Sequence, residues 1–313
     1  MIVTLTPNPS VDRTLFIDAL PRGAVIRSGR SRTEPSGKGV NVALALRAHH
    51  HDVRAVLPVG GPVGRQLVEM LGAAGVAYHA VPIAGDVRSN VSLVEPDGTV
   101  TKVNERGPEL TGDEVAALIA AALDGTGVTW LAGCGSLPAG VPVDLYARLA
   151  TDARRAGVRT AIDTSGPALR AAVAAGPDLV KPNAHELAEI TGRGLATHGD
   201  VVEAAGRLRA HGVRAVLASL GADGAVLADE QGALHAEAPV PRVVSTVGAG
   251  DALLAGFLSA GGSGRAALRT AMTWGAAAVQ HDGTLFSGAD PAVTVTVHDA
   301  VDRDRRLREP ARP

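Results

Sequence analysis

Val128-Thr129-Trp130-Leu131, Arg159-Thr160-Ala161-Ile162 and Asp178-Leu179-Val180 are three short β-prone runs, set among helix-period stretches near 113–123, 142–156 and 183–191. Buried runs this short, spaced by whole helices, suit parallel strands joined by helical crossovers rather than hairpins. The same rhythm extends in both directions. Toward the N-terminus, Ile2–Leu5 reads as a strand ended by Pro7-Asn8-Pro9, and a helix pattern follows from about Gly39 to Ala48. Val53–Val59 then reads as a buried strand and Gly64–Ala74 as a helix. Toward the C-terminus, Ala215-Val216-Leu217-Ala218 continues the series, and Ala/Leu-rich helices at about 249–260 and 264–280 close it. The pattern predicts an α/β fold in one domain spanning 1–313, with a mostly parallel sheet covered by helices on both faces. Residues 303–313, charged and Pro-bearing, are expected to fray.

Two stretches break the rhythm. Residues 13–35 and 88–104 lack a helical period and carry Thr14-Leu15-Phe16-Ile17, Val91-Ser92-Leu93-Val94 and Thr99-Val100-Thr101-Lys102-Val103. Asp97-Gly98 between the last two is a strong hairpin turn signal. These pieces predict a small separate sheet inserted in the α/β body, either a lid over a site or a decorative hairpin.

Composition narrows the function classes. Of 313 residues 46% are hydrophobic but only 2% aromatic, which leaves few rings on which bases might stack and argues against a nucleic-acid partner. The formal charge of −2 supplies no general basic field, so any phosphate must be held locally. No run approaches the roughly 20 apolar residues of a membrane span. Cys134 is the single cysteine, which rules out an internal disulfide framework and a thiolate zinc cluster. The opening Met-Ile-Val-Thr-Leu-Thr-Pro lacks the regions of a signal peptide, so a cytoplasmic location is expected.

Three motifs carry chemistry. Thr246-Val247-Gly248-Ala249-Gly250-Asp251 precedes Leu253, Leu254, Phe257 and Leu258 at helical spacing, so a buried helix starts near Gly250. Its free N–H groups and the positive end of its dipole suit an anion that glycines let approach closely. Asp251 beside that hole can accept a proton from an attacking hydroxyl, or it can be an ordinary capping residue. Ser36-Gly37-Lys38-Gly39-Val40-Asn41 places a lysine and an amide at another helix start, as a polar-substrate clamp or a plain loop-to-helix junction. Lys181-Pro182-Asn183-Ala184-His185-Glu186 puts Asn183 and Glu186 three apart on one face. An amide and a carboxylate so placed can orient water around Mg²⁺, or simply start a helix. The chain has neither the third glycine of a dinucleotide fingerprint nor a Walker A context around Gly37-Lys38-Gly39. His49-His50-His51 reads as a solvated helix end, Cys134 as a small loop residue, and Trp130 and Trp274 as core.

In this order and spacing, Gly37-Lys38-Gly39-x-Asn41, Asn183-x-x-Glu186 and Gly248-Ala249-Gly250-Asp251 resemble the PfkB (ribokinase-like) carbohydrate kinase family over nearly the whole chain. Thr6-Pro7-Asn8-Pro9-Ser10-Val11-Asp12-Arg13, Arg88-Ser89-Asn90, Lys102-Val103-Asn104-Glu105, Gly107-Pro108 and Gly135-Ser136-Leu137-Pro138 are similar to its phosphosugar branch, and most similar to the 1-phosphofructokinases. The resemblance implies a three-layer α/β/α fold with a β lid that often pairs subunits, hence a homodimer through the lid. It implies ATP-dependent phosphorylation of a ketose phosphate, fructose 1-phosphate before tagatose 6-phosphate or fructose 6-phosphate. Asp251 would be the base, and Gly248, Ala249 and Gly250 the anion hole. Asp12, Gly37 and Asn41 would hold sugar hydroxyls, and Lys38, Arg88 and Asn90 the phosphate already on the sugar. Asn183 and Glu186 would act on Mg·ATP, Glu186 through water, and Ser219, Gly221 and Gly224 of Ser219-Leu220-Gly221-Ala222-Asp223-Gly224 would line the nucleotide loop. A catalytically silent sugar-phosphate sensor is the alternative of another class, and it would have no need of Asp251. Two positions depart from the family pattern. Ser36 stands where glycine is usual, a cost if φ must be positive there, and Arg106 stands where the branch usually has proline.

Overall fold

Along the first strand, side chains alternate between two cores: Ile2 packs into one hydrophobic cluster, Val3 and Leu5 into another. That two-sided burial is what a parallel strand between helical layers requires. The computed structural model describes residues 1–281, 283 and 293–312. The chain opens with β1 (Ile2–Leu5), β2 (Ser10–Phe16), β3 (Arg30–Ser36), α1 (Lys38–Ala48), β4 (Val53–Val59), α2 (Gly61–Ala73) and β5 (Ala77–Pro82). β6 (Arg88–Val94), β7 (Val100–Asn104), α3 (Gly112–Leu123), β8 (Trp130–Cys134), α4 (Leu145–Arg155) and β9 (Arg159–Asp163) follow. Next come α5 (Gly166–Ala174), β10 (Leu179–Val180), α6 (Ala184–Thr191), β11 (Leu195–Thr197) and α7 (His198–Ala210). The remainder holds β12 (Ala215–Ser219), β13 (Ala225–Asp229), β14 (Gly232–Glu237), α8 (Ala249–Ser259), α9 (Gly264–Ala278), β15 (Thr296–His298) and β16 (Arg306–Ala311).

The main sheet has ten strands in the order β15-β14-β13-β12-β10-β9-β8-β1-β4-β5. From β12 to β5 every pairing is parallel, and the β12–β15 edge is antiparallel. Helices α1, α2, α8 and α9 cover one face and α3 to α7 the other. The architecture is therefore the ribokinase-like α/β/α sandwich. From β1 the chain builds outward to β4 and β5, then crosses back to add β8, β9, β10 and β12 on the other side. A reversal of this kind opens a crevice beyond the strands' carboxyl ends. No described helix is long and apolar enough to cross a membrane.

A second sheet, ordered β3-β2-β6-β7, stands apart from the first. It begins at Ser10 and runs through Ser36, slightly wider than the 13–35 boundaries read from pattern, because β2 and β3 pair from Ser10↔Ser36 to Phe16↔Arg30. Its β6–β7 hairpin turns where Asp97-Gly98 predicts, with Gly98 at φ 88°.

Several expectations need correction. Most of the segment expected to fray is strand: over Arg306–Ala311 β16 pairs with β11, Leu195 opposite Ala311, and Leu307 and Ala311 are buried. Leu307 supplies an apolar anchor that a count of charges hides. His49 is not merely solvated, since its ring stacks on buried Trp274 with centroids 3.7 Å apart. Cys134 ends β8 rather than lying in a loop, and burial pushes its thiol well up, consistent with an unreactive role. Trp130 and Trp274 are core, as read.

Candidate active site

Polar groups gather where five parallel strands end. Thr6 and Asn8 follow β1, Gly135 and Ser136 follow β8, Asp163 ends β9, Lys181 and Asn183 follow β10, and Ser219 ends β12. The start of α8 faces this row. Gly248 caps that helix in the left-handed region at φ 78°, no side chain caps the first turn, and Ala249 N reaches back to Thr246 O at 3.4 Å.

Asp251, in the first turn of α8, is buried. Asn41 Nδ2 donates to its Oδ2 at 2.7 Å, which joins the early glycine-lysine motif to the late Gly-Ala-Gly-Asp across 210 residues. Burial, and then the negative charge of Asp163, raise the Asp251 carboxyl to about 6; Lys38, the Asn41 hydrogen bond and Lys181 act the other way. At neutral pH such a group is an anion yet basic enough to take a proton.

Asp163, which the motifs do not flag, is the hub of the charge network. Its side chain is fully buried, with Lys38 Nζ donating to Oδ1 at 2.7 Å and Lys181 Nζ 3.1 Å from Oδ2. Burial alone would push this carboxyl up, but Lys181 and Lys38 outweigh it and hold Asp163 below the usual carboxylate range. Lys38 also lies 3.8 Å from Glu186 Oε1. In the structure Lys38 is thus engaged by two carboxylates, Asp163 and Glu186. A buried Asp163 must be neutralised, and that holds Lys38 on the side of Glu186 and Asp251. Buried Lys181 packs against the helix start, for a Cβ on Gly250 would come within 3.3 Å of its Nζ. In the sequence Lys181 stands only as the residue before Pro182, and a lone lysine directly after an apolar strand is the signal that could have found it.

Gly37 starts α1 at φ 120°, and a Cβ there would come within 2.8 Å of Thr6 Cγ2. Glycine is needed at that point so that Lys38 and Asn41 can approach β1. Ser36 precedes it inside β3, and His50 is the sole non-glycine residue of positive φ among the described residues, so the departure at Ser36 carries no backbone strain.

The lid brings the remaining early residues together. Asp12 Oδ1 accepts from Ser10 Oγ at 2.7 Å and from Asn90 Nδ2 at 2.9 Å. Arg88 donates through its two terminal nitrogens to Glu105 O and Asn8 O, at 2.9 and 3.0 Å. Burial lowers its proton affinity, with Asp12 and Glu105 opposing. Asn8 Nδ2 bridges Arg106 O and Ser136 Oγ, so the backbone of Arg106 ties the lid to the body while its side chain stays exposed. The side-chain oxygens of Asn8, Asn41 and Asn90 and the Nε of Arg88 have no hydrogen-bond partner among the described residues. Such orphaned atoms around one crevice mark where an oxygen-rich ligand would complete the pairing.

Asn183 and Glu186 form a capping box at the start of α6. Glu186 N donates to Asn183 Oδ1 at 2.8 Å and Asn183 N donates to Glu186 Oε2 at 2.9 Å. The helix-start reading is thus met by this pair, and Glu186 Oε1 is left outside the cap, 3.8 Å from Lys38 Nζ. Ser219 bridges to Asn183 across the strand ends. Gly221 and Gly224 both have positive φ, at 58° and 85°, and a Cβ on Gly224 would collide with Ala236 O.

This arrangement, with its fold, defines a class of enzyme, and the chain belongs to the pfkB family of carbohydrate kinases, whose profile residues 6–290 match. It is an ATP-dependent phosphotransferase. Among its relatives, the 1-phosphofructokinase of Rhodobacter capsulatus is 41% identical over 285 residues, 88% of this chain and 90% of that protein. The 1-phosphofructokinase of Haloferax volcanii is 39% identical over 302 residues, 95% of this chain and 97% of that one. Phosphofructokinase-2 from Escherichia coli, solved in complex with fructose 6-phosphate, superposes with a TM-score of 0.84 at 31% identity, covering 89% and 93% of the two chains.

Proposed function

We propose that this kinase phosphorylates fructose 1-phosphate to fructose 1,6-bisphosphate. The observation that carries the reaction is Asp251: buried, held by Asn41, raised to about 6 and set in the first turn of an uncapped helix. The sugar's free terminal hydroxyl gives its proton to Asp251 as its oxygen bonds to the γ-phosphorus of ATP; the bond from that phosphorus to the β–γ bridging oxygen breaks, and ADP leaves. N–H groups at Gly248, Ala249 and Gly250, with Lys38 and Lys181, stabilise the charge that develops on the transferring group. A sensor would gain nothing from a buried carboxylate tuned in this way.

Sugar hydroxyls are taken by Asp12, Gly37 and Asn41, and the phosphate already on the sugar by Arg88 and Asn90. ATP lies along Asn183, Ser219, Gly221 and Gly224. Glu186 would hold, through water, the Mg²⁺ that accompanies ATP: its Oε1 is a hard carboxylate oxygen outside the capping bond, and this ion usually takes one or two carboxylates besides phosphates and water. The 1-phosphofructokinase relatives support fructose 1-phosphate, and the bound sugar of the Escherichia coli neighbour makes fructose 6-phosphate the rival.

On the lid, alternation puts Leu15, Val91, Leu93 and Val103, together with Arg13, Ser89 and Thr101, on the face away from Asp12 and Asn90, and the four apolar side chains there support a homodimer formed through the lid. The lone buried thiol of Cys134 suits a cytoplasmic location. The test of substrate is coupled-assay turnover with Mg·ATP on fructose 1-phosphate, fructose 6-phosphate, tagatose 6-phosphate, fructose and ribose. A kcat/KM highest for fructose 1-phosphate supports the assignment; preference for an unphosphorylated sugar would refute the Arg88 clamp.

A further inference from the structure

The segment read as a loose tail ends up behind the nucleotide loop. β16 lies beside β11, and the chain before it is stitched to the start of α7, where His198 N donates to Arg305 O and Gly199 N to Arg303 O, each at 2.9 Å. From this anchored position Arg308 N donates to Asp223 Oδ2 at 2.8 Å, and Arg308 Nε lies 3.4 Å from Asp223 Oδ1. Asp223 is the buried acid of the tight turn Gly221–Asp223, between the two glycines whose positive φ shapes the loop.

A second hold comes from β14. His235 Nε2 donates to Asp223 O at 2.8 Å, so the carboxylate and the carbonyl of one loop residue are gripped from two different strands. The His235 ring is itself wedged. His198 packs against it edge-on with centroids 4.5 Å apart, and His298 stacks nearly parallel to it at 5.5 Å. His198 is fully buried, and neither of its ring nitrogens has a partner among the described residues, so it acts as a packing block. His298 is fixed in turn by Glu237, which also takes Arg305 at 2.8 Å.

We propose that His235 and the C-terminal strand form a clamp that sets the conformation of the 219–224 loop, which makes His235 and Arg308 positioning residues for ATP. The proposal rests on the reading above that this loop receives the nucleotide. Among the described residues, the hydrogen bonds, ion pairs and ring contacts of the clamp reach neither the lid nor Asp251, so loosening it should weaken ATP without altering the sugar site. A loop displaced from its productive geometry shows first in KM for the substrate it holds.

The test is steady-state kinetics with each substrate varied separately, on wild type, His235→Leu, His235→Gln and Arg308→Ala. His235→Leu removes the donor to Asp223 O and should raise KM for Mg·ATP about fivefold, the usual worth of one hydrogen bond. Gln offers an N–H at similar reach and should bring that KM back to within about twofold of wild type, whereas Arg308→Ala should raise it about twofold to threefold. kcat and KM for the sugar phosphate should hold in all three. Arg308 is largely exposed and Gln preserves polarity, so those two variants decide the matter if His235→Leu does not fold. Equal ATP KM values throughout would overturn the clamp, as would kcat and both KM values worsening together in step with a lowered Tm. Gly221→Val separates the two layers: if it raises KM for ATP while the His235 and Arg308 variants do not, the clamp alone is wrong. If Gly221→Val also leaves ATP untouched, the loop is not the nucleotide site and the proposal falls with that reading.

Discussion

Replacing Asp163 by Asn tests the electrostatic core of the site. The substitution keeps the shape of the side chain but removes the anion that two ammonium groups share, Lys38 at 2.7 Å and Lys181 at 3.1 Å. Lys181 is only 5% exposed at its side chain, so water does not replace the lost partner. Breaking a buried ion pair from one side costs about 3–5 kcal/mol, which for a chain of this size lowers Tm on the order of 10 °C. The pH dependence follows from the direction of the shift. Asp163 is held below its ordinary value, so its stabilising contribution is present above the unfolded carboxylate range and is lost as pH falls through the folded pKa. The Tm gap between wild type and variant should therefore be full from pH 5 to 8 and should narrow below about pH 4. Activity gives a second reading. Asp163 is the second cause, after burial, of the raised Asp251 carboxyl, so the acidic limb of kcat/KM should move below its wild-type position near 6. Scanning calorimetry across pH, with pH–rate profiles on the same samples, reads both effects. A Tm within about 2 °C of wild type at pH 7, together with an unmoved acidic limb, would refute the claim that Asp163 neutralises the lysines.

Two further substitutions address the ligands separately. Arg88→Met should raise KM for the sugar phosphate about 10–100-fold, the worth of a charged hydrogen-bonded contact, and leave KM for ATP unchanged in initial-rate assays. Glu186→Gln preserves an acceptor oxygen for the capping bond to Asn183 N but removes the charge beside Lys38, so the fold should survive. Titration of activity against free Mg²⁺ at fixed ATP should then need about tenfold more metal, and an unchanged titration would remove Glu186 from the Mg·ATP site.

The alternation of strand and helix was legible because parallel strands buried on both faces read as apolar runs, as in Val53–Val59 and Trp130–Leu131. α5 and α7 escaped notice, although each announces itself locally: α5 carries a proline at its first turn and α7 a capping box between Thr197 and Asp200. The Gly248–Asp251 start was legible because a glycine-rich turn before a buried helix has a short local signature. Asp163 was not, since one acid at the end of a strand becomes meaningful only when Lys38 and Lys181, 125 residues before it and 18 after it, converge on it. The pairing of Lys38 with Asp163 was hidden for the same reason, as spacing along the chain does not say which buried charge a long side chain will meet. The tail was misjudged because its charged residues Arg306, Arg308 and Glu309 are exposed while its buried apolar residues, Leu307 and Ala311, are few.

The central claim is that Asp251 takes the proton from the acceptor hydroxyl. The most direct measurement is single-turnover kcat of Asp251→Asn with saturating Mg·ATP and fructose 1-phosphate, paired with calorimetric binding of the sugar phosphate. The account predicts a loss of about 10²–10⁴ in turnover with sugar-phosphate affinity retained. Turnover within about tenfold of wild type would contradict it, for a positioned base contributes more than that.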